Sequence, residues 1–459
     1  MREFITTGRI DPSKRLVIER TKDFNEIYEV FDNSDAAQQS ERCIQCGDPF
    51  CLNRCPLHNY IPQWLKSIAE KDLPFAFKLS NEPSPFPEVM GRVCPQDRLC
   101  EGDCTLNDGH GAITIGSIET YISEEGFKQG LKPEFPGVTS DKSVAVIGSG
   151  PAGLSAATYL LRSGFGVSMY ERSDRAGGLL TYGIPNFKLD KKVVERRVNL
   201  LVEAGMQLHV NCEVGKDISF EEVADHHDAL FLGIGATQAK SAGISGENAS
   251  NVYVSMQYLT AIQHKNFGEA YSKEFEFKDL DVVVIGGGDT AMDCVRTSKR
   301  EGAKSVTCLY RRDAHNMPGS QKEYKNAMEE GVDFTFYASP KEIIIGDDGK
   351  AVAVEMIKTV LGAKDESGRQ RMEEVKGSEF QVKADIVIMA LGFDTAVPAF
   401  FAENGIETNS WGGVKVDDSN QTSTSGIYAG GDCYRGASLV VTAAYDGREA
   451  ARSMIKSLG

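Results

Sequence analysis

The chain has no long apolar run. Stretches such as Ser143–Ile147 and Asp281–Ile285 end after a few residues, far short of the roughly 18 that a membrane-spanning helix needs. A basic excess is missing too: 50 Lys and Arg stand against 66 Asp and Glu, a net charge of −16. Nucleic acid is therefore not expected as a partner, because phosphate recognition needs a basic footprint. Such acidity ordinarily serves solubility, and it also suits a basic partner. The N-terminal Met1-Arg-Glu-Phe-Ile lacks the apolar core of a secretory signal, so a cytoplasmic location with no membrane partner is expected. Short-period repeats and low-complexity tracts are absent as well. The 459 residues leave room for about three units of roughly 150.

Cysteine is the residue in excess. Seven of the 11 lie between Cys43 and Cys104. They read C-x2-C-x4-C-x3-C-P (Cys43, Cys46, Cys51, Cys55, Pro56) and C-P-x4-C-x3-C (Cys94, Pro95, Cys100, Cys104). Without a secretory signal, crowded cysteines mean metal or redox chemistry and not disulfides, and an odd count would strand one thiol. Iron–sulfur clusters take thiolates, and in ferredoxin runs the cysteine before proline serves the other cluster. By that logic Cys43, Cys46, Cys51 and Cys104 hold one 4Fe-4S cluster. Cys55, Cys94 and Cys100 go to a second cluster, which is left one ligand short. Zinc competes, but its sites show paired C-x2-C hooks, and only Cys43–Cys46 forms one. Cys212, Cys294, Cys308 and Cys433 lie in apolar or nucleotide-fold surroundings and read as small packed hydrophobes.

The pattern along the chain predicts an α/β protein. A mainly helical iron–sulfur domain (1–140) precedes two Rossmann-like dinucleotide-binding domains, the second inserted in the first: 141–279, then 280–383, then 384–459. Asp35–Arg42 and Ile61–Leu79 have helical spacing, and Pro83, Pro85, Pro87 and Pro95 force irregular loops between helices. Residues 132–142 read as a linker.

Gly148-Ser-Gly150-Pro151-Ala152-Gly153 follows a hydrophobic strand and opens a helix, the context that gives this pattern meaning. Its glycines serve a tight turn, approach to a pyrophosphate and close helix–strand packing. The helix N-terminus then faces the phosphates. Glu171 closes the next strand; its carboxylate suits ribose hydroxyls and repels a 2′-phosphate, so FAD or NAD is expected and NADP is not. Gly177, Gly178 and Leu179 follow, where backbone can approach a flavin. Far downstream, Gly431-Asp432 places a carboxylate on the ribityl or phosphate region, and a helix starting near Val441 and Thr442 aims N–H groups at the flavin carbonyl. Together these read as FAD. Lys188 and Arg197 either contact FAD or stabilise a helix.

Gly286-Gly-Gly288-Asp289-Thr290-Ala291 repeats the pattern. Where the first unit has Glu171, this one has Arg311 and Arg312. Arginine forks match phosphate oxygens, so NADPH is expected with its 2′-phosphate there. Asp289 and Thr290 either cap the helix or border the nicotinamide end. Pro318 and Gly319 read as a rigid turn without chemistry.

The segments RCIQCGDPFC, GRVCPQDRLCEGDC, AITIGSIETYI, GIPNFKLDKKVVERRV, GGGDTAMDCVRT, YRRDAHNMPGSQKEYKNAMEEGV and RGASLVVTAAYDGREAA resemble the small (β) subunits of bacterial NADPH-dependent glutamate synthase. The resemblance spans the whole chain, and related modules occur in dihydropyrimidine dehydrogenase and electron-bifurcating transhydrogenases. It implies one FAD, one NADPH site and low-potential 4Fe-4S clusters. It also implies that Glu119 is the missing ligand of the second cluster. It implies a partner, the FMN-containing large (α) subunit, where glutamine and 2-oxoglutarate become glutamate. Ala236 in GIGAT stands where some relatives carry Thr. No acid–base side chain is required for hydride transfer; positioning supplies the catalysis. The alternative is a stand-alone NADPH:acceptor oxidoreductase of the ferredoxin type. A dithiol reductase would need a C-x-x-C beside the flavin, and a zinc scaffold would lack flavin and iron–sulfur colour.

Overall fold

The computed structural model describes residues 3–364 and 370–459. Its N-terminal part is helical. The Asp32 carboxylate caps the helix Asn33–Glu41 by accepting from Asp35 N at 2.8 Å. The expected helical stretch 61–79 is two helices, Ile61–Ala69 and Leu73–Asn81. Asp72 caps the second by accepting from Phe75 N, and Pro74 sits in its first turn, so a new helix starts there. Pro87–Val93 and Ile115–Lys128 complete the frame. Trp64, Phe77, Ile118 and Ile122 fill its core.

Among the described residues the strands form two five-stranded parallel sheets, one three-stranded antiparallel sheet and a two-stranded ribbon. The first sheet holds β1 (Ser143–Ile147), β2 (Gly166–Tyr170), β3 (Gln207–His209), β4 (Ala229–Leu232) and β15 (Ile427–Ala429), in the order β15-β4-β1-β2-β3. The second holds β6 (Val252–Val254), β7 (Asp281–Ile285), β8 (Ser305–Tyr310), β9 (Asp333–Phe336) and β13 (Ile386–Met389), in the order β6-β13-β7-β8-β9. A segment inserted into the first unit thus builds the second. Its bounds differ from the expected 280–383. β6 precedes residue 280, and β13, expected to resume the first unit, lies between β6 and β7. Backbone pairing decides membership, and a short apolar strand carries no mark of which sheet it will join.

β10 (Ala338–Ile345), β11 (Ala351–Lys364) and β12 (Gln370–Lys383) form the antiparallel sheet, which no motif announced. β5 (Gln238–Ala239) and β14 (Phe393–Asp394) pair where the chain passes between units. Among the described residues no helix is long and apolar enough to cross a membrane.

Buried charge joins the three units. Arg197, on the helix Lys191–Glu203, donates to both Glu88 carboxylate oxygens at 2.7 and 2.6 Å and to Asn81. Arg448 donates to the carbonyls of Leu57 and Pro83. On the N-terminal arm, Lys14 pairs with Glu329 and Arg20 with Glu330. Glu330 also receives Arg296 and Arg300, and both guanidiniums lie over the Phe187 ring.

Candidate functional site

The seven thiols and Glu119 line two cavities. Cys43, Cys46, Cys51 and Cys104 border one, walled by Leu65 and Ile113. Cys55, Cys94, Cys100 and Glu119 border the other, together with Asn59 and Val441. The second cavity thus places Glu119 beside the three thiols that the run leaves one ligand short. Apolar walls and sulfur donors fit iron–sulfur clusters. Burial pushes the Cys43 thiol up to about 11 and Cys51 up to about 12, and raises Cys94 and Cys100 well above the usual thiol range. Thiolates in such cages need a counter-charge, which iron supplies. The Glu119 carboxyl is pushed up to about 8 by burial, although Asn59 Nδ2 donates to it at 2.7 Å. Among the described residues no three His, Cys, Asp or Glu side chains converge on a single ion.

The first glycine loop is built for close approach. Gly148 has φ +96°, and a Cβ there would lie 2.4 Å from the Gly233 carbonyl oxygen. On Gly153 it would lie 1.9 Å from the Gly148 carbonyl oxygen, whereas at Gly150 it would meet nothing within 4 Å. The loop is crowded where it packs and open at the mouth of the helix Pro151–Arg162. Glu171 is buried and accepts from Ser149 N at 3.1 Å, from the Ser149 hydroxyl and from Ser173 N at 2.8 Å. Ser149 Oγ accepts in turn from Gly177 N at 2.9 Å, so Ser149 ties Glu171 to the Gly177-Gly178 turn. Gly178 has φ +54° and faces Gly150.

The helix Val440–Leu458 has no side-chain cap, which leaves Val441 in its first turn to meet an acceptor, whereas Thr442 N donates to Leu439 O at 3.1 Å. It packs closely against Pro151–Arg162: a Cβ on Gly447 would lie 2.1 Å from the Ala152 carbonyl oxygen, and Ser155 Oγ donates to Ala444 O at 2.6 Å. The Asp432 carboxyl is pushed up to about 6 by burial, against a hydrogen bond from Ser438 N. Asp446 was not foreseen. It accepts from Gly431 N at 3.1 Å and from Arg435, fixing the turn that carries Asp432. An aspartate set among Ala443, Ala444 and Gly447 on a helix face was the available signal.

Lys188 and Arg197 are engaged elsewhere. Lys188 Nζ donates to Asp293 at 2.8 Å, and the Arg197 guanidinium is held by Glu88 and Asn81. Both sets of bonds cross between units.

In the second glycine loop, a Cβ on Gly286 would lie 2.3 Å from the Ala390 carbonyl oxygen, and at Gly288 it would meet nothing within 4 Å. Ala291 is fully buried, where a third glycine would pack. Asp289 opens the helix Asp289–Arg300, with Thr290 beside it, and accepts from Ser320 N at 2.9 Å. Gly319 N donates to Gly287 O at 2.9 Å, so the Pro318-Gly319 turn closes on the loop. Arg311 and Arg312 follow β8, and among the described residues neither makes an ion pair. The Arg312 Nε is buried without a partner among the described residues, an orphan donor that fits a phosphate. Thr359 Oγ1 and Tyr337 N hold the carbonyls of Arg311 and Arg312 against the antiparallel sheet.

Residues 142–447 match the family described as pyridine nucleotide-disulphide oxidoreductase, and residues 20–131 match that described as dihydropyrimidine dehydrogenase domain II, 4Fe-4S cluster. The chain is 47% identical to the glutamate synthase (NADPH) small chain of Halomonas elongata, over 99% of this chain and 98% of that one. It is 45% identical to the putative oxidoreductase AegA of Escherichia coli, over 99% of this chain and 70% of that one. In fold it is similar to Mycobacterium tuberculosis FprA in complex with NADPH, with a TM-score of 0.60 at 18% identity, over 70% of this chain and 85% of that one.

Proposed function

The chain belongs to the family of glutamate synthase (NADPH) small chains, and from that premise we propose that it is the electron-input subunit of such an enzyme. It oxidises NADPH and passes the electrons, by way of FAD and two 4Fe-4S clusters, to an FMN-containing large subunit that forms glutamate from glutamine and 2-oxoglutarate. One observation carries this reading. Val441 lies in the first turn of the helix Val440–Leu458 and also lines the cavity of Cys55, Cys94, Cys100 and Glu119, so if that turn faces the flavin, as we read it, the flavin site and the second cluster set share a wall.

Bound flavin supplies the exchange between two-electron hydride chemistry and one-electron transfer. The protein's own part is placement. Gly148, Gly150 and Gly153 with the helix behind them hold the pyrophosphate, and Glu171 takes the ribose hydroxyls. Gly178 and Leu179 border the ring system, with Asp432 and the first turn at Val441 and Thr442 opposite. Gly286, Gly288, Asp289, Thr290 and Ala291 seat NADPH, and Arg311 with Arg312 takes its 2′-phosphate. Cys43, Cys46, Cys51 and Cys104 hold the cluster nearer the surface; exposed Phe50 lies beside them.

The isolated chain should reduce an artificial dye with NADPH and make no glutamate; adding the large subunit should restore synthesis. Cys94→Ser should abolish that coupled reaction and spare dye reduction. Unchanged coupled turnover in Cys94→Ser would refute the route. The identity to AegA favours the stand-alone oxidoreductase as second reading. A chain that binds no large subunit yet rapidly reduces a ferredoxin-type carrier would establish it.

A further inference from the structure

We propose that Arg98, on the loop between Cys94 and Cys100, belongs to the NADPH site and receives the pyrophosphate of the dinucleotide. The inference rests on the reading of Gly286–Ala291 as the dinucleotide loop. An iron–sulfur domain would then supply a side chain to a nucleotide site in another unit.

Arg98 Nη2 lies 3.7 Å from Asp289 Oδ2. Asp289 is the first helical residue after Gly288, beside the open space where a Cβ would meet nothing within 4 Å. The loop that brings Arg98 there is held at two points. Gln321 N donates to Asp97 Oδ2 at 3.4 Å, and Arg54 Nε donates to the Arg98 carbonyl at 3.3 Å. Backbone and neighbour are thus spent on aiming the guanidinium, and the guanidinium itself is not spent. Among the described residues it has one ion-pair contact, at long range, and an arginine carries five N–H donors.

Stability does not account for the arrangement. The Arg98 and Asp289 side chains are 40% and 37% exposed, and ion pairs that open to water contribute little. Charge does account for it. A carboxylate beside a loop that must accept a pyrophosphate repels it, and in a chain of net charge −16 nothing general offsets that. Asp289 cannot turn away, because its other oxygen holds Ser320 N at 2.9 Å. Among the described residues Arg98 is the ion-pair partner of Asp289. A guanidinium that neutralises the carboxylate in the resting site can fork onto phosphate oxygens when the dinucleotide enters.

The pyrophosphate is common to NADPH and NADH, whereas the 2′-phosphate is not. Equilibrium titration of the holoenzyme with NADP+ and with NAD+, followed by calorimetry or by the flavin spectrum, should therefore show Arg98→Gln weakening both by the same factor, about tenfold. Arg98→Lys, which keeps the charge, should recover most of the loss. Asp289→Asn should act in the opposite direction and tighten both, since it removes the repulsion and frees Arg98. Unchanged affinities in Arg98→Gln, or a loss confined to NADP+, would overturn the proposal. So would equal weakening by Asp289→Asn and Arg98→Gln, which would make the pair a latch between units. Failure of the unsubstituted protein to bind NADP+ would instead overturn the reading of the loop beneath it.

Discussion

Replacing Glu330 by Gln tests whether the nucleotide unit is held in place by buried charge. The side chain is buried and accepts five hydrogen bonds: from Arg20 Nε at 3.1 Å, from Arg296 Nε and Nη2 at 3.0 and 2.9 Å, and from Arg300 Nη1 and Nη2 at 2.7 and 3.1 Å. Burial alone would raise its pKa, but the hydrogen bonds from Arg300 and Arg296 outweigh it and hold the carboxyl at about 2, against an ordinary 4.5. A difference of that size corresponds to about 3 kcal/mol of stability at neutral pH. It agrees with the roughly 3–5 kcal/mol lost when one member of a buried pair is removed. The lower end applies because Glu323 stays with Arg296 and Glu329 with Arg20. For a unit of this size that is a fall of about 6–12 °C in Tm, read by circular dichroism or calorimetry. The folded value is depressed, so the contribution is complete above pH 4.5 and disappears as pH falls towards 2. The gap between wild type and Glu330→Gln should close over that window. A shift below about 2 °C at neutral pH, or a gap that persists through the acid range, would refute the reasoning.

Two further substitutions address the glycine loops and their arginines. Arg311→Ala with Arg312→Ala should raise the KM for NADPH by about 10- to 100-fold and leave NADH nearly unaffected; equal losses for both would contradict the 2′-phosphate assignment. Gly153→Ala places a methyl 1.9 Å from the Gly148 carbonyl oxygen, so the protein should purify without flavin or fail to fold, as visible absorption and thermal melts report; a normal flavin content would show that the turn can relax.

Chemistry-bearing residues were legible because their types cannot be exchanged. Thiols gathered on shared cavities and glycines where a Cβ would strike a carbonyl announced themselves. The sorting of cysteines between two cavities followed from the proline after Cys55. Glu119 came from family resemblance, since one glutamate on a helix is otherwise a solvated one. The unit boundaries were not legible. Parallel strands pair across long crossovers, and the apolar run at β13 fits either sheet equally well. The ion network was hidden for a related reason: Arg20, Arg296, Glu323 and Glu330 look like surface charge until tertiary contacts bury them. Ser149 and Asp446 escaped notice because each acts on a neighbouring turn and resembles no motif.

The antiparallel pair β5 and β14 is the natural axle of this molecule, since the chain enters and leaves the inserted unit side by side there. An axle alone would let that unit swing. The N-terminal arm bolts it on another side, through Lys14 and Arg20 to the helix Gln321–Glu329 and Glu330. Any rotation would have to draw guanidinium groups out of a dry carboxylate socket. The inserted unit is therefore held on two sides, by the strand pair and by the N-terminal arm.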